Sequence, residues 1–155
     1  MKIEHLYISS AHNFFGHHGK EAGTQPMLAR DRLECVAGKG ICDDRFFDHK
    51  ENYKGQITFF AVETYEMLCK ELEIHDKGTE VFRRNVITRG VDLNALVGSH
   101  FTIQGVEFIG TEECRPCYWM DGAFGLGAEE KMKGHGGLRA RILSDGILQV
   151  DGGKI

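Results

Sequence analysis

The chain is predicted to be a mainly β domain with α segments: a closed or nearly closed barrel of short strands with one prominent helix. Three observations carry this. Seven or so short runs alternate apolar and polar residues at the two-residue period of a half-buried strand. Only one segment carries a sustained helical repeat. The 155 residues include 20 glycines and 2 prolines, well above the roughly 7% glycine of average usage. No glycine period is visible, so the excess fits tight turns between short strands. A barrel is the economical way for so many short strands to avoid exposed edges.

The elements follow in order. Residues 2–9 alternate around Ile3, Leu6 and Ile8. Residues 11–26 are too broken by glycine for a helix and read as a long loop, a kind of segment that tends to be functional. Residues 32–37 form a strand, and a glycine turn at 38–40 leads into the aromatic and acidic stretch at 41–48. Residues 56–60 are β-rich and run into the helix at 61–74, where Val62, Tyr65, Leu68, Cys69 and Leu72 share one face. Residues 82–88 form a strand, and Gly105 turns a hairpin between 100–104 and 106–111. Residues 116–124 and 128–133 suit short helices, the first opened by a proline. The end reads as a hairpin: Leu138, Ala140 and Ile142 alternate with arginines, Asp145-Gly146 turns, and 147–150 return.

Length and patterning give a single domain over residues 1–155. The apolar runs are far shorter than the roughly 20 residues that span a bilayer, and the start lacks the pattern of a signal peptide. The expected location is the cytoplasm. The net charge of −4 argues against a nucleic-acid binder, but leaves room for a local basic pocket.

Cys35, Cys42, Cys69, Cys114 and Cys117 are an odd set without an export signal, so free thiols, metal ligation or thiolate chemistry are expected rather than disulfides. Cys114-Arg115-Pro116-Cys117 is the most informative segment. A thiol in the first turn of a helix beside an arginine gains thiolate character, the form that binds soft metals or carries sulfur. The spacing also suits a redox pair, half a zinc site, or two packed cysteines. On these grounds Cys117 belongs in the first turn of the short helix and Cys114 at the end of the preceding strand. Cys69 and Cys35 read as core. On a regular strand Arg83 and Asn85 point to one face and Arg84 to the other. His12, His17 and His18 in the long loop offer a zinc or nickel site, and the loop is expected to border the same cavity as Cys117.

Taken in order, several segments resemble the MOSC family, named for the C-terminal domain of molybdenum-cofactor sulfurases, in its small stand-alone bacterial form. They are Gly38-Lys39-Gly40-Ile41 with Asp44-Arg45, Gln56-Ile57-Thr58 leading to Glu63, Phe82-Arg83-Arg84-Asn85-Val86-Ile87-Thr88-Arg89-Gly90, the 91–98 segment, Cys114-Arg115-Pro116-Cys117 and Gly137-Leu138-Arg139-Ala140. The resemblance implies a MOSC-type β-barrel like the barrel domain of pyruvate kinase. It implies the molybdenum cofactor (molybdopterin) or sulfur carriage, with Cys117 as molybdenum ligand or sulfur acceptor. Arg45, Arg83 and Asn85 match positions that hold the pterin phosphate, with Thr64 as a further cofactor contact. The usual Gly-Asp-Arg is Asp43-Asp44-Arg45 here; aspartate lacks glycine's freedom at positive φ and adds a negative charge.

Three functions follow as expectations. The first is reduction of N-hydroxylated substrates by a molybdenum cofactor held on Cys117, with electrons from a separate reductase. The second is a sulfur carrier with a persulfide on Cys117, loaded by a cysteine desulfurase or serving a cofactor-biosynthesis protein. Pyridoxal phosphate would then enter only through that partner. The third is a zinc- or nickel-binding module built on His12, His17 and His18.

Overall fold

Strands that are apolar on both faces occupy the middle of the sheet, because helices or a second sheet must cover each face. Ile57-Thr58-Phe59-Phe60 is buried throughout, and it is central. The computed structural model describes residues 1–12 and 23–152. The elements in chain order are β1 (Lys2–Ile8), β2 (Leu28–Arg30), β3 (Arg32–Val36), β4 (Gly40–Ile41), β5 (Ile57–Ala61), α1 (Val62–Leu72), β6 (Val86–Arg89), β7 (His100–Ile103), β8 (Val106–Glu113), α2 (Trp119–Ala123), α3 (Ala128–Met132), β9 (Leu138–Ile142) and β10 (Gly146–Gln149).

Seven strands form one curled sheet in the order β2-β1-β6-β5-β9-β8-β7, and a small sheet has the order β10-β3-β4. The large sheet is a half-barrel. Its parallel pair is β5–β6, joined through α1. Side chains alternate between two apolar clusters. Phe59, Leu6 and Val86 point inward to Phe108, Leu138 and, from the small sheet, Leu33 and Leu148. Their neighbours Phe60, Tyr7 and Ile87 point outward beneath the helices, to Leu68, Phe82, Phe124 and Met132. The Phe60 and Phe82 rings stack with centroids 4.6 Å apart.

The barrel-like, strand-dominated architecture is as expected, and α1 is the longest helix. Three local expectations are corrected. The C-terminal hairpin does not form: β9 pairs with β5 and β8, while β10 crosses over to β3. Asp145, expected in the turn, accepts the Ala37 N–H at 2.8 Å and sends the chain toward the small sheet. The strand expected over 82–88 starts only at Val86, because Thr79–Phe82 is a 3₁₀ turn capped by Arg83 in the left-handed region (φ 58°). Helix α1 ends two residues early, at a left-handed Glu73 (φ 53°).

Burial sets the stability of this scaffold. Phe59→Ala should cost about 3–5 kcal/mol in urea unfolding. Leu126→Ala, at a side chain 87% exposed, should change stability by less than about 0.5 kcal/mol.

Candidate functional site

The left-handed Arg83 breaks the two-residue alternation expected of a strand. Arg83 and Arg84 therefore both reach one cavity, of about 230 Å³, at the end of the sheet. Arg45, Arg115 and Arg139 line it too, together with Cys114 and Cys117. Five arginines and two cysteines thus line one cavity.

Among the described residues, the arginines are held largely by neutral groups. Arg83 donates to the carbonyls of Gln25 (2.6 Å) and Ala11 (2.8 Å) and to the Ser9 hydroxyl (3.0 Å). Arg84, 8% exposed, donates to the carbonyls of Phe82 (2.7 Å), Gly136 (3.1 Å) and Cys114 (3.4 Å). Arg45 reaches the Arg83 carbonyl at 3.2 Å and lies over the Phe46 ring. Its ion pair with Asp44 is 3.2 Å long, but Asp44 also accepts the N–H groups of Ser9 and Phe46. Arg139 pairs with Glu112 at 3.4 Å. Burial, and then the charge of Arg45, press the Arg83 guanidinium down to about 10. Burial likewise lowers Arg45, against the pull of Asp44. Arg139 is instead raised, its burial outweighed by Cys114 and other nearby groups; at Arg45 and Arg83, where burial depresses the cation, an incoming anion is favoured.

Asp43 takes the glycine-like conformation directly, with φ 68°. It is exposed, outside the cavity lining. The departure from Gly-Asp-Arg therefore leaves the turn intact and sets no carboxylate in the lining.

The cysteine segment rests on two glycines. A Cβ on Gly136 would run into the Cys114 carbonyl oxygen and the Pro116 ring, and one on Gly137 (φ 109°) into the Phe59 carbonyl oxygen. The Cys114 N–H donates to Gly137 O at 2.8 Å. Cys114 closes β8, as expected, but its thiol is no bystander: it interacts with Arg139. Cys117 lies before α2 rather than in its first turn, since the N-cap is Tyr118 and the Cys117 carbonyl accepts the Met120 N–H. The expected thiolate character changes accordingly. Burial pushes the Cys117 thiol up, opposed by the Trp119 backbone N–H and by Arg84, and assisted by Glu129 and Cys114.

The remaining expected site residues are dispersed. Asn85 is buried and committed to the fold: its Oδ1 accepts the N–H (3.0 Å) and hydroxyl (3.1 Å) of Thr58, and its Nδ2 donates to Tyr7 O. Thr58 lines the cavity; Asn85 stands behind it. Thr64 lines a separate pocket of about 90 Å³ with Asn94 and His135. His12 does border the Cys117 cavity. It lies against Phe46 and His49, and burial, then Arg45, lower its pKa. His17 and His18 lie outside the described residues. Among the described residues no group of three His, Cys, Asp or Glu side chains could hold a metal ion. Cys35 and Cys69 pack into or against the two cores, as expected.

Sequence reasoning missed Arg84 and Arg139 as cavity residues. Arg139 was marked by the polar face of β9, while Arg84 became visible only once Arg83 was left-handed.

Two outcomes follow. Inorganic phosphate should raise thermal stability above chloride at matched ionic strength, by about 1.4 kcal/mol at ten times its Kd. Arg83→Gln should remove most of that increment. In cofactor-free protein, iodoacetamide labelling of Cys117, followed by peptide mass, should rise with pH with a midpoint above the usual cysteine value of about 8.5, because burial disfavours the thiolate.

Comparison with known proteins agrees with this fold. The MOSC domain family model matches residues 17–152. Among solved structures, the YuaD protein from Bacillus subtilis is similar with a TM-score of 0.71 at 20% identity, over 96% of this chain and 91% of that one. YiiM from Escherichia coli matches at 0.65 and 16% identity, over 97% and 67%. YiiM from Geobacillus stearothermophilus matches at 0.68 and 11%, over 96% and 70%. At these identities the likeness is one of fold. No curated protein matches the sequence. No helix among the described residues is long and apolar enough to cross a membrane. With its family model matched over most of its length, the chain belongs to the MOSC domain family, which is associated with the molybdenum cofactor.

Proposed function

We propose that this protein binds the molybdenum cofactor with Cys117 as metal ligand and reduces N-hydroxylated substrates. The observation that carries the reading is the placement of the Cys117 thiol in a single cavity with five arginines. The donor set fits the group: a thiol for a soft metal and guanidiniums for a phosphate. The bound cofactor supplies the two-electron chemistry, and the chain supplies grip and orientation.

Arg83 and Arg45 are assigned to the phosphate, since anion binding restores the charge that burial depresses. Asn85 acts through Thr58, fixing its N–H and hydroxyl, and is a positioning residue. Arg84 holds the cysteine segment by its Cys114 carbonyl. Metal binding takes the proton from Cys117 Sγ, so loading strengthens as pH rises. Electrons come from a separate reductase, in the cytoplasm.

A second reading is favoured by the presence of both Cys114 and Cys117 in the cavity: a sulfur carrier with a persulfide on Cys117, loaded by a cysteine desulfurase. Protein from a cofactor-replete host separates the two. Stoichiometric molybdenum with pterin fluorescence supports the reductase, and labile sulfane sulfur without molybdenum supports the carrier. Cys117→Ser should lose molybdenum by more than about tenfold, while Cys114→Ser keeps most of it. Equal behaviour of the two variants would sink the Cys117 assignment.

A further inference from the structure

The arginine cavity is small. At about 230 Å³ it falls below the roughly 300–1,000 Å³ of sites that enclose a drug-sized ligand. Beside it lies a groove of about 620 Å³, and the two share Arg83 and Trp119 as walls. The groove runs between the 23–27 segment and α2, and Tyr118 and Glu80 complete the part that matters. The Tyr118 and Trp119 rings lie with centroids 4.6 Å apart, tilted by 38°. Among the described residues no ion pair engages Glu80, and the residue is exposed.

These features call for a flat ligand with donors along one edge. Aromatic side chains take a planar heterocycle by stacking. A carboxylate accepts two parallel N–H donors. The arginine side repels such donors and takes the anionic end. Molybdopterin is divided in this way. Its dithiolene sulfurs and phosphate sit at the pyran end, and its 2-amino-4-oxo edge, with an N–H beside an NH₂, lies at the other end.

We propose that the groove is the pterin subsite, with Glu80 accepting the amino edge and the packed Trp119–Tyr118 pair forming an aromatic wall on one side of the ring, while the arginine cavity takes phosphate and metal. The inference rests on the functional reading above and extends it to residues outside the cysteine and arginine set.

Trp119 is the sole tryptophan, so its emission reports on the groove directly. Cofactor-free protein is titrated with 6-hydroxymethylpterin, which carries neither metal nor dithiolene. Saturable quenching is expected. Glu80→Gln should weaken binding about tenfold, as loss of charged hydrogen bonds does. Trp119→Leu, followed by equilibrium dialysis, should weaken it by a similar factor of about ten. Lumazine, the 2,4-dioxo analogue without the amino donor, should bind more weakly than the pterin, and so should adenine, whose edge pairs a donor with an acceptor. Absence of quenching to about 1 mM, equal affinity in Glu80→Gln, or equal binding of lumazine or adenine would overturn the subsite. Cys117→Ser should bind the pterin probe normally. If that variant keeps its molybdenum while Glu80→Gln loses the pterin, the ligand assignment fails and the groove stands. If Cys117→Ser loses its molybdenum but the probe does not bind, only the groove inference falls.

Discussion

The buried guanidinium of Arg84 is the joint on which the site depends. It joins the 3₁₀ turn before β6, the cysteine segment after β8 and the approach to β9 through three carbonyl oxygens. A buried cation is costly unless its donors are satisfied, and here main-chain dipoles satisfy them without neutralising the charge. The arrangement fixes geometry and leaves positive potential in the cavity. A carboxylate partner would have fixed the geometry equally well and cancelled the potential. Among the described residues, Asp44 and Glu112 pair with cavity arginines, and they are shared with backbone N–H groups or with Lys54.

That joint requires a sheet that brings distant segments to one end. Burying β5 on both faces places Phe59 in the inner core and Phe60 under the helices. The parallel step to β6 then delivers Arg83 and Arg84 beside the end of β9. The glycine pair at 136–137 lets the cysteine segment lie against β9 at main-chain distance. A side chain at Gly136 would meet the Cys114 carbonyl that Arg84 holds, and one at Gly137 would meet the Phe59 carbonyl of β5. The sheet is therefore the reason that residues more than thirty positions apart in sequence act on the same small volume.

Much of this was legible in the sequence, and the failures have physical causes. The apolar run of β5, the amphipathic α1 and the Gly105 turn are local signals, and each formed near its expected bounds. The β9–β10 hairpin failed because Asp145-Gly146 is a valid turn whose partner strand was chosen by tertiary contacts. Asp145 found the Ala37 N–H, and β10 found β3. The face assignment of Arg84 failed because a left-handed arginine carries no compositional mark, unlike a glycine. The same holds for Asp43, which takes a conformation usually filled by glycine. Cys117 was singled out by its motif, but its surroundings were not legible, since burial comes from the whole fold.

The two opposing influences on Cys117 then acquire a role. Burial and the nearby Glu129 disfavour the thiolate, while the Trp119 N–H and Arg84 oppose them. A thiol poised this way resists alkylation and oxidation, which follow thiolate character. A soft cation brings enough charge to displace the proton outright. An anion would matter as well. On the proposed reading, a phosphate on Arg45 and Arg83 would meet two guanidiniums that burial lowers first, with Arg84 adding to this at Arg45 and Arg45 adding to it at Arg83. A ligand of the proposed kind, anionic at one atom and metallic at another, would engage the arginines and Cys117 of this one cavity together.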